Sequence, residues 1–311
     1  MKTKILQAPD GVSQIVEALH AGEPVALPTE TVYGLAADAL SPEACAKIFE
    51  AKNRPLYDPL IVHLPSLDWL TRLTSPTPTA LALAQKFWPG PLTMVLPRQA
   101  IVPDIVTAGQ ETVAVRMSAH PLFTEVAQRF AKPLAAPSAN RFGCISPTTA
   151  AHVLAELDGR IPFILDGGPC AHGIESTIVH VSKEGLRILR KGPITRDDLR
   201  TFAPLLEDEI SVSAPGGLKS HYAPRTPLVL EKNPTARSDK TGLLAFSTPR
   251  EGFAKIEILT AKSDLREAAA NLYGAMRRLD EAGLDLIVAE EIPESGIGAA
   301  IMERLRKAAA R

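Results

Sequence analysis

Short apolar segments alternate with amphipathic helical patterns along most of the chain, and this alternation limits the possible folds more than any other feature. Strand-like runs occur at residues 24–27, 60–64, 92–96, 112–117, 134–136, 163–165 and 177–181. Residues 122–130 and 147–157, which lie between such runs, have the spacing of helices that bury one face. Strands separated by helices are typical of an α/β fold, so the pattern predicts a twisted, mixed sheet.

Some helix boundaries can be predicted from capping residues. Ser41 followed by Pro42 predicts the start of one helix, because a serine hydroxyl can cap the first turn and proline suits its first position. Ser146 followed by Pro147 predicts a second helix start, and Ser263 predicts the cap of a long helix near the C-terminus. A helix start presents free N–H groups, so Ser146 marks a candidate phosphate site, although an ordinary capped helix would have the same sequence.

The character of the sequence changes after residue 205, and a chain of 311 residues is long enough for two domains. Residues 206–228 contain an acidic patch, a Pro-Gly-Gly segment and a His-Tyr pair with basic residues nearby. A passive spacer would be richer in Gly and Ser, so we interpret this segment as an interdomain linker with a role in the site. The remaining strand-like runs and helices predict a small Rossmann-like unit, so the expected domains are 1–205 and 229–311.

Charge and composition disfavour several classes of protein. The formal net charge is −1, so the chain as a whole does not attract nucleic acid or a membrane surface. No apolar run reaches the ~18 residues of a membrane span, and the first residues lack the apolar core of a signal peptide. Three cysteines without close spacing indicate a reducing compartment rather than a disulfide framework or a zinc site. We therefore expect a cytoplasmic protein with no membrane partner.

The basic residues Lys52 and Arg54 end a predicted helix and precede a loop bounded by prolines. Cations at a helix C-terminus also offset the helix dipole, so this placement has an ordinary structural explanation. A guanidinium and an ammonium together would also suit a polyphosphate, and the balanced net charge means that an anionic ligand needs such a local basic cluster. The sequence has no P-loop. His63 follows in an apolar strand, where a lone histidine is more often a core residue than a ligand contact.

Arg116 lies inside an apolar strand-like run. A buried guanidinium needs an anionic partner, which is either a structural ion pair or a bound carboxylate, and the sequence favours neither. The polar residues at 28–35 follow a strand, where open α/β sheets bind ligands, although a hydroxyl-bonded turn explains them better when they are taken alone. The small residues at 135–140 would allow a ligand to approach the backbone. An ordinary tight turn would account for the glycine-rich loop at 166–177. A basic pair at the surface would account for Arg190 and the lysine that follows it.

Several motifs occur in a fixed order along the first 228 residues. They are PTETVYGLAADA, KNRPLYDPLIVH, FWPGPLT, VAVRMSAHP, APSAN with SPT, GIESTIV and RKG, followed by the linker sequence APGGLKSHYAPRTPL. Together they resemble the L-threonylcarbamoyladenylate synthase family in its long form. The resemblance implies a YrdC-like catalytic domain with a twisted mixed sheet, followed by a small Rossmann-like domain that is similar mainly in position and size.

The resemblance implies a nucleotidyltransferase that condenses L-threonine, bicarbonate and ATP to threonylcarbamoyl-AMP and pyrophosphate. In this family the product is passed to the machinery that makes threonylcarbamoyladenosine in tRNA. The implied cofactor is Mg²⁺ that arrives with ATP, without a dedicated metal site in the protein. The resemblance also leaves room for weak tRNA binding.

The resemblance assigns roles to individual residues. Those expected to contact L-threonine are Thr31, His63, Arg116, Ala136 and Ser176. Those expected to contact ATP are Arg54, Asp58, Thr112, Ser138, Ser146, Arg190 and Tyr222. Lys52 and Arg54 are expected to neutralise the phosphates, and the linker with Tyr222 is expected to act as a lid.

Two positions depart from the family pattern. Asp58 stands where asparagine is usual, and Phe142 stands where a small residue is usual. A carboxylate beside phosphates is unfavourable, so we expect Asp58 to use its backbone or to turn its side chain away.

Three other functions fit parts of the sequence. An RNA-binding protein could use the concave basic face that some YrdC-like proteins have, but the charge balance and the 5% of aromatic residues disfavour it. A carbamoyl-transferring enzyme of the hydrogenase-maturation type would share the fold, but it would need acylphosphatase and zinc-finger modules that this sequence lacks. A regulatory nucleotide sensor without turnover is the third.

Overall fold

The structure is a computed structural model, and it describes residues 2–207 and 221–310. Within these ranges the strands form two sheets, one of ten strands and one of four. The larger sheet is mixed and the smaller one is parallel, so the α/β fold predicted from the sequence is confirmed. No helix in the described part of the chain is long and apolar enough to cross a membrane.

The ten-stranded sheet places two of the predicted site residues side by side. Its strands are β1 (Lys4–Gln7), β2 (Val25–Leu27), β3 (Gly34–Asp38), β4 (Ile61–His63), β5 (Leu92–Pro97), β6 (Thr112–Arg116), β7 (Leu134–Ala135), β8 (Phe163–Asp166), β9 (Thr177–Val181) and β10 (Leu186–Arg190). They lie in the order β1-β8-β2-β3-β7-β4-β6-β5-β9-β10. The parallel neighbours β4 and β6 are in register at their last residues, so His63 lies opposite Arg116.

Eight helices in the described part of the large domain bury apolar side chains in the clusters that cover the large sheet. They are α1 (Asp10–His20), α2 (Pro42–Lys52), α3 (Asp68–Leu73), α4 (Pro78–Phe87), α5 (Asp104–Thr107), α6 (Pro121–Phe130), α7 (Ala150–Leu157) and α8 (Arg196–Leu199). Along β2, Val25 and Leu27 join the cluster that contains α1 and α6, whereas Ala26 joins the cluster that contains α2 and α4. This is the alternation expected of a strand buried on both faces.

The smaller sheet forms a second α/β unit. Its strands β11 (Leu228–Glu231), β12 (Thr241–Ala245), β13 (Lys255–Ile258) and β14 (Leu286–Glu290) are all parallel, in the order β11-β14-β12-β13. The helices α9 (Leu265–Asp280) and α10 (Gly298–Ala309) supply most of the apolar side chains of its core. Parallel strands with helical crossovers are the architecture of a Rossmann-like unit.

The helix start predicted at Ser146 is wrong. Helix α7 begins at Ala150, three residues after the predicted first residue Pro147, and Thr149 caps it by accepting a hydrogen bond from the His152 N–H at 3.3 Å. The Ser146 hydroxyl instead donates to the Glu175 carboxylate at 2.6 Å. Ser146 therefore does not provide a phosphate site at a helix start.

Of the other two predicted caps, one is confirmed. Ser41 accepts a hydrogen bond from the Ala44 N–H at 3.1 Å at the start of α2. Helix α9 is capped by Asp264 rather than by Ser263, because the carboxylate accepts from two N–H groups of the first turn. The linker predicted at 206–228 lies largely outside the described residues, which resume at His221, so the predicted domain bounds and the lid stay predictions.

Candidate active site

One cavity in the large domain brings together most of the side chains predicted to bind a ligand. Its lining includes Thr31, Arg54, His63, Arg116, Ala136, Ser138, Ser176, Arg190 and Tyr222. These residues come from distant segments of the chain, and the sheet and its loops bring them to one place. The lining does not include Lys52, Asp58, Thr112 or Ser146.

Arg116 is held at the cavity wall by a carboxylate that the sequence analysis missed. The residue is 3% exposed, its Nη2 contacts the Glu30 carboxylate, and its Nη1 donates to Thr31 Oγ1 at 3.2 Å. Burial alone would raise the pKa of Glu30, but Arg116 and a hydrogen bond from Ser118 lower it below its usual value. Of the two alternatives for Arg116, the structure therefore contains the ion pair. Its Nε is buried without a hydrogen-bond partner among the described residues, so one donor remains for a ligand.

His63 presents a neutral imidazole next to Arg116. Burial and the neighbouring charge of Arg116 hold the pKa of His63 well below its usual value. Its ring packs on Phe123 with 4.6 Å between the ring centroids, and its Nδ1 has no hydrogen-bond partner in the described part of the chain. Two buried polar atoms without partners, Arg116 Nε and His63 Nδ1, thus lie on adjacent strands at the same cavity.

Arg190 lies near both Arg54 and Arg116 in the cavity. Its Nε donates to the Ser176 backbone oxygen and its Nη2 to Ser176 Oγ, both at 3.0 Å. Ser176 Oγ also lies 2.8 Å from Thr93 Oγ1, so the hydroxyl is fixed from two sides. The charge of Arg190 helps to lower the pKa values of both Arg54 and Arg116, which indicates that it lies near each of them.

Arg54 lines the cavity and at the same time supports the loop that follows it. Its Nε donates to the Asp58 backbone oxygen at 3.1 Å, and its Nη2 donates to the Pro59 oxygen at 2.7 Å. The Asp58 carboxylate lies 3.0 Å from Arg54 Nη2, so it pairs with the arginine instead of lining the cavity. Burial raises the pKa of Asp58, while Arg54 acts in the opposite direction.

Lys52 holds the backbone of the small-residue loop at 135–140. Its Nζ contacts the Ser138 backbone oxygen and donates to the Asn140 oxygen at 2.6 Å, and the residue is 1% exposed. The Lys52 backbone oxygen accepts from the Phe142 N–H at 2.9 Å. Burial lowers the pKa of the Lys52 ammonium well below its usual value. Of the two basic residues expected to neutralise phosphates, Arg54 is therefore the one that faces the cavity.

Thr112 and Ser146 lie away from the cavity lining. Thr112 begins β6 and pairs with Pro97, which puts it about 13 Å from Arg116 at the usual rise of a strand. Ser146 is fully buried beneath Glu175. Their expected contacts with ATP stay predictions.

Residues 221 and 222 close one side of the cavity. Tyr222 is buried with φ of 62°, and its hydroxyl has no hydrogen-bond partner among the described residues. Burial raises the pKa of Tyr222 to about 12, so the hydroxyl stays protonated and can donate. The His221 ring lies edge-on to Tyr222 at 4.2 Å and lines the same cavity, which the sequence analysis did not predict.

A third group of residues missed by the sequence analysis centres on Glu175. This carboxylate lines the cavity and is contacted by Ser146, Tyr273 and Arg304, the last two from the C-terminal domain. A signal for Arg304 was present, because it falls in the buried stripe of α10 between Ile301 and Leu305. In the described ranges, no group of three or more His, Cys, Asp or Glu side chains could hold a metal ion.

The mixed sheet with its cation-lined cavity, followed by a parallel α/β unit, defines a two-domain protein of the Sua5/YciO/YrdC class. A family model described as telomere recombination matches residues 17–192, and one described as the threonylcarbamoyl-AMP synthase C-terminal domain matches residues 187–310. The chain belongs to the threonylcarbamoyl-AMP synthase family, in the form that has the extra C-terminal domain.

Relatives and solved structures agree with this assignment. The threonylcarbamoyl-AMP synthase of Bacillus subtilis is 39% identical, over 96% of this chain and 92% of its own length. That of Pyrococcus abyssi is 37% identical, over 93% and 91%. A crystal structure of P. abyssi Sua5 complexed with L-threonine superposes with a TM-score of 0.90 at 34% identity, covering 99% of this chain and 98% of that one. Full-length HypF shares the fold alone, with a TM-score of 0.52 at 17% identity over 58% of this chain and 28% of that one.

Proposed function

We propose that this protein is a threonylcarbamoyl-AMP synthase that uses L-threonine, bicarbonate and ATP and releases pyrophosphate. Family membership supports the class of reaction. The observation that carries the proposal for this chain is the pair of buried, unpartnered polar atoms, Arg116 Nε and His63 Nδ1, on adjacent strands of one cavity within the described residues. Buried polar groups without partners are costly, so such a pair favours a bound polar ligand.

The threonine subsite is the Arg116 end of the cavity. Glu30 holds the guanidinium in place, and the free Nε binds the carboxylate of the amino acid. Neutral His63, the Thr31 and Ser176 hydroxyls and the Ala136 backbone surround the rest of the substrate. A P. abyssi relative with 34% identity has been solved with L-threonine bound, which supports threonine as the amino acid.

The nucleotide subsite is the end with Arg54, Arg190, Ser138 and Tyr222. Two guanidinium groups offer charge to the phosphates, and the Tyr222 hydroxyl offers a donor without a partner in the described part of the chain. ATP enters as its Mg²⁺ complex, so that the metal ion is part of the substrate.

The reaction requires positioning and charge neutralisation rather than a protein nucleophile. The threonine nitrogen attacks the carbon of bicarbonate, and loss of water and protons gives a carbamate. A carbamate oxygen then attacks the α-phosphorus of ATP, the bond to the bridging oxygen breaks, and pyrophosphate leaves with that electron pair. Arg54 and Arg190 stabilise the charge that moves onto the leaving pyrophosphate.

The product is a labile mixed anhydride, so it must be passed on quickly. We propose that the acceptor is the machinery that forms threonylcarbamoyladenosine in tRNA, with at most weak tRNA contact by this chain itself. Within the described residues no disulfide joins Cys45, Cys144 and Cys170, which fits a reducing, cytoplasmic location.

The test is pyrophosphate release by the full chain, measured with each substrate omitted in turn and with serine in place of threonine. We expect release only when threonine, bicarbonate and ATP are all present, with a product of the mass of threonylcarbamoyl-AMP. Release that does not depend on bicarbonate, or no release at all, would refute the proposal. A nucleotide sensor would bind ATP but give no release.

A further inference from the structure

The C-terminal domain reaches the cavity through one fully buried arginine. Arg304 of α10 is 0% exposed, and it donates from Nε to Glu175 Oε2 at 3.0 Å and from Nη1 to the Lys191 oxygen at 2.6 Å. Glu175 and Lys191 both belong to the large domain, so Arg304 crosses between the domains. Charged groups are costly to bury unless they are paired, so this contact constrains where the two domains meet.

Glu175 places a negative charge in a cavity that otherwise presents cations. Among the described residues, it is the one carboxylate that lines the cavity, where Arg54, Arg116 and Arg190 also carry charge. Burial alone would raise the pKa of Glu175, but the charges of Arg304 and Arg190 lower it to about 2. Glu175 is therefore an anion at neutral pH in a cavity that we propose for a triphosphate.

Two residues of the C-terminal domain also contact Tyr222. The Tyr273 ring is stacked on the Tyr222 ring at 5.8 Å, and the Arg304 guanidinium carbon lies 5.5 Å from the Tyr222 ring centroid. The Tyr273 hydroxyl donates to Glu175 at 2.9 Å. Ring stacking and the cation over the ring both favour this position of Tyr222.

The loop that carries Glu175 and Ser176 packs closely on helix α9 of the C-terminal domain. Gly173 has φ of 68°, and a Cβ at this position would come within 2.4 Å of Ala270 Cα in α9. Only glycine allows such close backbone contact in this conformation. The position of the Glu175 loop thus depends on the C-terminal domain.

From this geometry we infer that Arg304 and Tyr273 are positioning residues for the nucleotide. Arg304 neutralises Glu175, and both residues hold Tyr222, so the C-terminal domain completes the active site of the large domain. The inference rests on the proposed function, because it takes ATP as the ligand. Without Arg304, Glu175 would keep only the weaker influence of Arg190, so its negative charge would repel the phosphates, and this repulsion is strong in a buried site.

The experiment measures the dissociation constant of a non-hydrolysable ATP analogue for the full chain by calorimetry, together with the KM values for ATP and threonine. We expect Arg304→Met to weaken binding of the analogue and to raise the KM for ATP by about tenfold or more, with the KM for threonine within about twofold. Arg304→Lys, which keeps the charge, should restore much of the affinity. Adding Glu175→Gln to Arg304→Met should return the affinity to that of Glu175→Gln alone.

Arg277→Met is the matched control. Arg277 of α9 also crosses between the domains, where it contacts the Ile145 oxygen and donates to Glu156 at 3.2 Å, but it does not line the cavity. If Arg304 only docks the domains, Arg277→Met should weaken ATP binding as much as Arg304→Met does. We expect Arg277→Met to lower the melting temperature while leaving the affinity for the analogue within about twofold.

Several results would overturn the inference. They are equal changes in the KM values for ATP and threonine, no rescue by Glu175→Gln, or a similar loss of affinity in Arg277→Met. If Arg304→Met does not fold, Tyr273→Phe removes the donor to Glu175 but keeps the ring, and unchanged affinity in this variant would count against the inference. Wild-type protein that binds the analogue but releases no pyrophosphate would refute the proposed function and not this inference.

Discussion

The pair formed by Arg54 and Asp58 leads to a prediction that a substitution will improve nucleotide binding. The Asp58 carboxylate lies 3.0 Å from Arg54 Nη2 and is buried at the edge of the proposed nucleotide subsite. A phosphate bound on the other side of the guanidinium would be about 8 Å from this carboxylate, where two unit charges repel by about 2 kcal/mol at an effective dielectric constant of 20. We therefore expect Asp58→Asn to tighten ATP binding by about tenfold, allowing for some screening by Arg54.

The pH dependence has a defined sign. Burial raises the pKa of Asp58 above its usual value, so its carboxylate takes up a proton as the pH falls through that raised value. Protonation removes the same charge that Asp58→Asn removes. The advantage of the variant should be largest at neutral and higher pH, and it should shrink as the pH falls.

The assay is calorimetric titration of both proteins with a non-hydrolysable ATP analogue across a range of pH. Asp38→Asn is a suitable control, because Asp38 is a largely buried carboxylate that pairs with Lys132 and does not line the cavity. Its affinity for the analogue should equal that of the wild type. Weaker binding by Asp58→Asn would refute the reasoning, since it would mean that Asp58 helps Arg54 to bind phosphate.

Three further substitutions test the two ends of the cavity. Arg116→Lys should raise the KM for threonine by about 30-fold, which is about 2 kcal/mol of binding free energy, because one ammonium cannot hold Glu30, Thr31 and a carboxylate at once. An unchanged KM in steady-state kinetics would contradict this. Glu30→Gln should lower the free energy of unfolding by about 3 kcal/mol at neutral pH, because it leaves Arg116 buried without its partner. The pKa of Glu30 in the folded protein is below its usual value. The stability that the Glu30–Arg116 pair contributes is therefore fully present above the pKa of the unfolded state, and it is lost as the pH falls through the pKa of the folded state. Urea unfolding measured across this pH range would detect the loss. Tyr222→Phe removes a hydroxyl without a partner among the described residues, so the melting temperature should stay the same while the KM for ATP rises about fivefold; equal KM values would refute a nucleotide contact.

The sequence predicts the elements whose side chains alternate or form a stripe, and it fails where the local signal is weak. Strand β3 is made of Gly, Leu, Ala and Asp, which have little strand preference, yet it is buried because it pairs with β2 and β7. Helix α7 starts later than predicted, with Thr149 as its cap, and Ser146 donates to a distant carboxylate, Glu175. Neither the pairing nor the distant partner can be read from neighbouring residues.

In the site, too, the sequence predicts residues that lie in local motifs but not their distant partners. The cavity collects Arg54, Arg116 and Ser138, as expected if the motifs form one ligand site. Glu30, which pairs with Arg116, and Glu175, which pairs with Arg304, could not be predicted. Each carboxylate acts through a partner more than 80 residues away in the chain, and only the folded structure brings such groups together.

The measurement that tests the central claim most directly uses ¹³C-bicarbonate with threonine, ATP and the full chain, followed by mass spectrometry of the nucleotide product. The account predicts a mixed anhydride of AMP and threonine carbamate that contains one ¹³C atom, with one pyrophosphate released for each molecule formed. An unlabelled threonyl adenylate would contradict it, because the amino-acid carboxylate would then have attacked the α-phosphorus instead of being held by Arg116.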